Sequence, residues 1–406
     1  MAIKGGDTSA LRIYNERLIL SSIRRYGPQS KAELGRLTSL SSQAASDIAK
    51  RLLADGLIIE KAKIRTGVGQ PKTPLALNPD GAFSIGVKIG RSSLEAVLLD
   101  LTGDVRARLS KSYSYPKAET TIAHAISMTK ELLAGMNDDA QRRVVGIGLA
   151  MPSAIYQWDT EMGLPEGALS DWKDRDPAAE ISEATNHPCL LINDANAACA
   201  AELEHPENQL TETGIYLYFA TFIGGAVVID GRLFTGFRDQ AGAIGSMPVP
   251  GTNGAGIAPQ LIERASLLPL LQNLEAAGID RAFFSQLQED AIPSAAIPLF
   301  ETWCADAAPH LAHSIFASAS LLDIDKVVLD GILPPAWLDQ LSQAVQTALA
   351  KFNTKGVAEF DISTGHLGRS ARVMGAALMP FDARFTPDPS HLVTRSKLQP
   401  KAAAPA

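Results

Sequence analysis

The chain has 406 residues, more than one compact domain usually holds. Hydrophobic residues make up 46% and charged residues 20%, which supplies a core and excludes a disordered or collagen-like chain. Three cysteines are too few for a disulfide framework, the start lacks a signal-peptide pattern, and no apolar run is long enough for a membrane helix. These features predict a cytoplasmic protein of two or three folding units, with no membrane partner.

The net charge of −7 is unevenly distributed along the chain. Residues 1–80 contain 13 Lys and Arg against 7 Asp and Glu, a net charge of +6, which leaves −13 on the remainder. A basic segment attached to an acidic body is typical of a segment that contacts a polyanion. Because a solvated helical face can carry the same excess, charge alone leaves both interpretations open.

Three helices are predicted in the first 55 residues. The first spans about residues 9–25 and ends at a Gly-Pro pair. The second opens with Ser30 and Glu33, the spacing of a capping box, and runs to about Leu37. The third spans about residues 41–54 and ends before Gly56, since glycine commonly follows the last turn of a helix.

The third helix separates an apolar face from a short polar face. The apolar positions recur at helical spacing: Ala45, Ile48, Ala49, Leu52 and Leu53. On the other face lie Gln43, Ser46 and Lys50, which we predict to lie nearest the bases of DNA. Glutamine can bind adenine through two hydrogen bonds, and serine can bond several base edges.

Two short strands are predicted after the third helix, at residues 57–61 and 74–77, with a basic loop rich in Gly and Pro between them. Such a hairpin is a wing that can lie against phosphates, and Arg65 and Gln70 are its predicted DNA contacts. Residues 1–80 are therefore predicted to form a winged helix-turn-helix that binds DNA. The alternative is a helical subdomain whose polar face is only solvated.

The body of the chain is predicted to be α/β. Candidate strands lie at residues 83–90, 94–100, 144–150, 190–192, 215–219 and 326–329, and helical segments separate several of them. The first two read as a hairpin, whereas alternation of strands and helices favours parallel pairing. No internal repeat is evident in the sequence.

Four motifs in this body resemble those of the ROK family (repressors, open reading frames and kinases), in its branch of regulators with a winged helix. They are INDANAA at residues 192–198, a Gly-Gly turn at residues 223–231, AGAIG at residues 241–245 and MGAAL at residues 374–378. The resemblance implies a two-lobed, actin-like sugar-kinase fold over residues 81–385, with the lobe boundary near residue 195. A C-terminal helix at about residues 368–380 is expected to return to the first lobe, and residues 386–406 are expected to form a disordered tail.

The two phosphate-binding turns of ROK kinases are altered in this chain. Lys88 stands where the family carries an acidic residue that helps to hold the metal, and Arg91 stands where the family has glycine. Phe222 occupies the second turn, in which glycines admit the phosphates of ATP. These departures predict that the chain has no catalytic residues and is not an enzyme.

Asn193 and Asp194 match the part of the family pattern that binds sugar hydroxyls. The resemblance makes Asp194 the general base of a kinase and Asn193 a neighbouring hydrogen-bonding residue. Alternatively, Asp194 caps a helix over residues 195–202, and both roles can coexist. Without a phosphoryl donor, we expect this pair to bind a hydroxylated effector.

The other ligand-binding elements of the family are also altered. Residues 241–246 lack the glutamate and histidine that contact the sugar, and residues 253–260 replace every zinc ligand of the family loop. We therefore predict no zinc, no other metal and no cofactor. Trp158, Trp172 and Asp171 lie in a segment that relatives place near the cleft mouth, where a tryptophan can stack on a sugar ring or serve only for packing.

The favoured hypothesis is a transcriptional regulator, in the first place a repressor, of carbohydrate-related genes. A homodimer or homotetramer is expected to bind a roughly palindromic double-stranded operator, while the body senses a sugar or sugar derivative. One alternative is a ROK sugar kinase with an accessory DNA-binding head. Another is a regulator that responds to a protein partner instead of a small molecule.

Overall fold

The structure, a computed structural model, describes residues 8–64, 72–159, 162–251, 256–280, 283–284 and 292–387. Within these ranges a small N-terminal head precedes a body that contains two five-stranded sheets. No helix in the same ranges combines the length and apolar content that crossing a bilayer requires.

In the part that the structure describes, the head consists of three helices and a two-stranded antiparallel sheet. The helices are α1 (Thr8–Tyr26), α2 (Lys31–Thr38) and α3 (Ser42–Ala54), and the strands are β1 (Ile58–Glu60) and β2 (Leu75–Leu77). Ser30 and Glu33 form the predicted capping box, and the Ser41 side chain caps α3. Beyond the sheet, Ile64 pairs with Lys72, which continues the hairpin past β1 and β2. The predicted winged helix-turn-helix is therefore present.

The first lobe of the body is built on one sheet. Its strands are β3 (Phe83–Ile89), β4 (Ser93–Asp100), β5 (Val105–Ser112), β6 (Val144–Met151) and β7 (Cys189–Asn193), connected in part by the helices α4 (Ala118–Ala134), α5 (Asp138–Arg142) and α6 (Pro177–Thr185). The order is β5-β4-β3-β6-β7, antiparallel from β5 to β3 and parallel from β3 to β7. All seven residues of β3 are buried, as expected for a central strand covered on both faces.

The second lobe repeats this topology. Its strands are β8 (Gly214–Phe219), β9 (Gly224–Ile229), β10 (Arg232–Phe234), β11 (Lys326–Gly331) and β12 (Asp361–Thr364). The order β10-β9-β8-β11-β12 is antiparallel from β10 to β8 and parallel from β8 to β12. The structure thus contains an internal repeat that the sequence does not display, because different sets of apolar side chains can fill cores of the same backbone topology.

Among the described residues, the helices that accompany the second lobe are α7 (Asp194–Leu203), α8 (Leu261–Ala265), α9 (Leu268–Ala276), α10 (Ile297–Leu322) and α11 (Pro335–Leu349). Phe300 of α10 stacks on Trp337 of α11 with ring centroids 4.4 Å apart, within the core of this lobe. The long α10 and α11 therefore pack on each other through large aromatic side chains.

The last helix, α12 (Ala371–Phe385), returns to the first lobe and packs against β3, β6 and α7. It begins about three residues after its predicted start and continues five residues beyond its predicted end. Its buried Val373 and Phe381 belong to the same hydrophobic cluster as Ile19 and Ile23 of α1. The head and the first lobe therefore share one core. The predicted boundaries at residues 80, 195 and 385 stay predictions, and residues 388–406 lie outside the described residues.

Candidate functional site

The polar face of α3 presents the three side chains predicted to contact bases. Gln43 and Lys50 are exposed, and Ser46 is half-buried. Asp47 orders the two longer side chains, since Gln43 Nε2 donates to Asp47 Oδ2 at 2.9 Å and Lys50 Nζ lies 3.5 Å from Asp47 Oδ1. Gln43 first, and then Lys50, lower the pKa of Asp47. Sequence reasoning did not predict this role, although the i,i+4 and i,i+3 spacings are its signal.

The base of the wing is tied to α2 by an ion pair. Lys72 Nζ lies 2.8 Å from Glu33 Oε1, and the same carboxylate accepts hydrogen bonds from the Ser30 backbone and hydroxyl. Lys72 and then Ser30 lower the pKa of Glu33 to about 2. The charge of Lys72 is therefore partly neutralised within the head. Arg65 and Gln70, the predicted wing contacts, lie outside the described residues, and their roles stay predictions.

A cleft of about 230 Å³ lies where β6 and β7 end and the turn between β8 and β9 approaches them. Ligands commonly bind beyond the carboxyl ends of parallel strands. Its lining comes from four segments, residues 152–158, 193–196, 218–225 and 239–246, together with Arg91 and Ile262. The cleft therefore brings together Asn193, Asp194 and both altered phosphate turns.

Asn193 joins β7 to α7 and caps the helix. Its Oδ1 accepts hydrogen bonds from the backbone N–H groups of Ala195 at 3.0 Å and Asn196 at 3.3 Å, and its Nδ2 donates to Ser153 Oγ at 3.0 Å. The interpretation of Asp194 as the cap is therefore wrong. The helix begins one residue earlier than expected, and Asn is as favourable at the cap as Asp.

Asp194 instead pairs with an arginine of the C-terminal helix. Arg372 Nη1 donates to Asp194 Oδ2 at 3.2 Å, and the guanidinium carbon lies 4.9 Å from the centre of the Tyr218 ring. Burial alone would lower the pKa of Arg372, but Tyr218, Asp194 and Glu95 raise it. Nothing local in the sequence predicts this pair, because 178 residues separate the partners.

Lys88 does not line the cleft. Its side chain is 3% exposed, and Nζ lies 2.8 Å from Ser93 Oγ and 3.0 Å from Glu95 Oε1 on β4. Burial lowers the pKa of Lys88 to about 8. The cation that replaces the acidic residue of the kinases is thus paired inside the first lobe.

Arg91 and Phe222, which alter the two phosphate turns, contact each other in the cleft wall. The Arg91 guanidinium carbon lies 4.2 Å from the centre of the Phe222 ring, and the Trp158 ring lies 5.1 Å from Phe222 on centroids. Trp158 therefore belongs to the cleft. Trp172, in contrast, is buried and donates its Nε1–H to Pro116 O at 2.7 Å, so it serves packing. Asp171 caps α4 by accepting the Ala118 N–H.

A buried carboxyl group, Asp330, links β11 to the segment that leads into α12. Its Oδ1 accepts hydrogen bonds from the backbone N–H groups of Gly331 at 2.7 Å and Gly368 at 3.0 Å, and its Oδ2 accepts one from the Tyr216 hydroxyl at 2.7 Å. Burial is the largest influence and raises the pKa of Asp330 to about 6. Because the usual pKa of an aspartic acid is 3.8, folding favours the protonated form of Asp330 relative to the unfolded chain.

We expect Asp330→Asn to become progressively more stable than the wild type as pH rises from about 4 to about 6. The wild type loses free energy of unfolding in this window because the folded-state pKa exceeds the unfolded-state value, whereas asparagine keeps the Oδ1 acceptor and cannot ionise. Between pH 4.5 and pH 7 the stability difference should grow by about 2 kcal/mol, measured by urea denaturation at pH 4.5, 5.5 and 7. The exposed Asp325→Asn is the control. A difference that does not vary with pH would contradict this account.

Among the residues that the structure describes, no three His, Cys, Asp or Glu side chains form a group that could hold a metal ion. The aligned zinc loop lies only partly in this set, because residues 252–255 are outside it. The prediction that the chain needs no metal or cofactor therefore stays a prediction.

The fold and the cleft together define a two-lobed α/β protein that carries a winged-helix head. The family model of ROK proteins matches residues 84–266, and this segment is a ROK family domain, as the sequence motifs predict. An uncharacterized protein, y4fQ of Sinorhizobium fredii, is 26% identical over 374 residues, 91% of each chain. The xylose repressor of Bacillus subtilis is 25% identical over 243 residues, 60% of this chain and 62% of the repressor. That alignment thus spans about three fifths of the repressor.

A solved structure shows the same overall architecture. The crystal structure of a ROK family transcriptional regulator, a homologue of the Escherichia coli MLC protein, aligns with a TM-score of 0.67 over 94% of this chain and 99% of that one. The sequence identity is 17%, so this likeness establishes the fold alone. It covers both the head and the body, which confirms the predicted fold class.

Proposed function

We propose that the chain is a sequence-specific DNA-binding transcriptional regulator, a repressor of carbohydrate-related genes, whose body senses a small hydroxylated effector. The observation that carries this proposal is the exposed polar face of α3 on a winged helix-turn-helix with a net positive charge. Gln43, Ser46 and Lys50 are its base-reading candidates, and Arg65 and Gln70 are its wing candidates. The similarity to a xylose repressor supports both the DNA-binding role and the sugar-related target.

The effector is proposed to bind near Asn193 and Asp194, and this cleft is connected to the head by two helices. Asp194 begins α7 and Arg372 lies in the first turn of α12, so their ion pair joins the two helices at the cleft. At the other end of both helices lies Arg24 of α1. Its Nη1 is 3.8 Å from Oε2 of Glu204, the residue that follows the last turn of α7, and its guanidinium carbon is 5.6 Å from the ring centre of Phe381 in α12. At a rise of 1.5 Å per residue, the distance from the cleft end of each helix to its contact with Arg24 is roughly 14 Å.

This arrangement supplies a physical route from effector to operator. A ligand that changes the Asp194–Arg372 contact can shift α7 relative to α12, and both helices contact α1 of the head. Because the core of the head is continuous with α12, such a shift changes the orientation of α3. Coupling of this kind requires only that the effector binds with different affinity to the two relative positions of α7 and α12. In a two-fold dimer or tetramer, it would change the spacing of two α3 helices on a palindromic site.

The kinase alternative is not favoured by the cleft. Arg91 and Phe222 stand in contact where kinases of the family admit phosphates, and one oxygen of Asp194 is occupied by Arg372. We therefore infer that the chain is not an enzyme. A coupled assay of ATP consumption with mixed hexoses and pentoses should show no turnover above the rate without sugar. Sugar-dependent turnover would favour the kinase.

The test of the regulator proposal is fluorescence anisotropy with a duplex from the upstream region of this gene and a scrambled duplex, at 50–200 mM salt. We expect a preference of roughly a thousandfold for the native duplex, and affinity that falls steeply with salt as counterions are released. Failure to bind either duplex at 50 mM salt would overturn the DNA-binding assignment. If operator binding holds but no sugar changes it or the melting temperature, a protein partner becomes the favoured effector.

A further inference from the structure

We propose that the effector carries an oxyanion, a carboxylate or phosphate group on a hydroxylated small molecule, and that Arg91 binds this group in the cleft. This inference rests on the proposed function, because it names the chemical class of the effector. It concerns a side chain for which the resemblance to sugar kinases implies no ligand contact, since glycine is expected at this position.

The first support is the missing partner of Arg91. Its side chain lines the cleft, its Nε is buried without a hydrogen-bond partner, and no hydrogen bond or ion pair reaches its guanidinium from the described part of the chain. A guanidinium has five N–H donors, and leaving the buried Nε–H of the half-buried Arg91 without an acceptor is unfavourable. The cleft is therefore electrostatically incomplete at this position.

The second support is that the neighbouring charges are already paired. Arg372 holds Asp194 and Lys88 holds Glu95, so these four groups balance one another. Asp194 acts on Arg91 only through space, and burial lowers the pKa of Arg91 to about 10. At neutral pH the guanidinium is still fully charged. Asp239, the other charged residue in the lining, lies on the exposed rim.

The third support is the aromatic surroundings of the guanidinium. The Arg91 guanidinium carbon lies 4.2 Å from the centre of the Phe222 ring, and Phe222 contacts Trp158, so these neighbours of Arg91 are rings that offer no counter-charge. A planar guanidinium bonds a carboxylate or phosphate through two parallel hydrogen bonds. Ser153 and Gln157 line the same cleft and can accept or donate to hydroxyl groups of the same molecule. A neutral sugar satisfies only these polar groups and leaves Arg91 without a counter-charge.

Isothermal titration of the full chain with four probes tests the inference: inorganic phosphate, a hexose 6-phosphate, a hexuronic acid and the neutral hexose. We expect at least one anionic probe to bind at least tenfold more tightly than the neutral hexose. Arg91→Gln should weaken that binding at least tenfold, and Arg91→Lys should retain part of it. Arg232→Gln, which removes an exposed arginine of β10 outside the cleft, should bind like the wild type. The two sugar derivatives distinguish phosphate from carboxylate.

Binding of no anionic probe, equal binding of the neutral hexose, or unchanged affinity in Arg91→Gln would each overturn the inference and leave Arg91 as a packing partner of Phe222. Melting temperatures without ligand establish that each variant is folded. Operator affinity is measured on the same preparations. If the wild type binds its operator but no anion, the oxyanion site alone is wrong, whereas loss of operator binding by the wild type contradicts the proposed function itself.

Discussion

Gly375→Ala is expected to reduce the free energy of unfolding of the body by about 3 kcal/mol, and to lower its melting temperature by roughly 8 °C. A Cβ at this position of α12 would overlap with the backbone carbonyl of Ala197 in α7. The obstacle is backbone, so no side-chain rotation can relieve it, and α12 must move away from α7. On intrinsic helix propensity alone the same substitution would stabilise α12 by about 1 kcal/mol.

The matched control is Gly135→Ala at the end of α4. Gly135 has a φ of −73°, and the atoms nearest to an added Cβ lie at 3.5 Å, which is ordinary contact. This variant should keep the melting temperature of the wild type or raise it slightly, because alanine restricts the unfolded chain. Equal stability of the two variants would show that α12 does not need its close approach to α7. We also expect Gly375→Ala to weaken the response of operator binding to effector, since both helices of the proposed route are displaced.

Ser46→Glu is expected to weaken operator binding at least 100-fold at 100 mM salt. It removes one predicted base contact, for which about 1–3 kcal/mol is typical, and adds a second negative charge beside Asp47 on the face that approaches DNA. Anisotropy with the operator duplex measures the loss. Because Ser46 is only half-buried on α3, the melting temperature of the head should change little.

Thr347→Glu is the control for the added charge. Thr347 lies on an exposed position of α11 in the body, so the substitution changes the net charge equally without touching the head. Its operator affinity should stay within about twofold of the wild type, because screening removes charge effects beyond about 10 Å at this salt concentration. If the two variants lose affinity equally, the effect of Ser46→Glu comes from overall charge, and α3 is not the helix that reads the operator.

The head was predictable because its signals are local. The predicted capping box at Ser30 and Glu33 and the predicted glycine after α3 each act within one helical turn, and the structure has both. The hairpin of β1 and β2 likewise follows from two short apolar runs. The contacts of Asp47 with Gln43 and Lys50 were not predicted, although their spacing is equally local. A polar residue on a polar helix face can bind any of several neighbours or only water, so its type does not indicate its partner.

The candidate site was predictable only in part. The family motifs led to Asn193 and Asp194, and the structure places both in the cleft. Which of the two residues caps α7 was not predictable, because this depends on the residue at which the helix begins. Arg372 was not predictable at all, because its carboxylate partner precedes it by 178 residues and no pattern of spacing connects them.

The sequence by itself determined the class of the fold and the order of head and body, and it predicts the loss of the residues that kinases of the family use for phosphate and zinc. These properties depend on residue type and on spacing within a turn or a strand. Only the tertiary structure decided how the charges in and next to the cleft are paired, with Lys88 held by Glu95, Asp194 held by Arg372, and Arg91 left with an aromatic partner alone. Pairing depends on distances between separate strands and helices, and those distances are fixed only when the two lobes and α12 pack against one another.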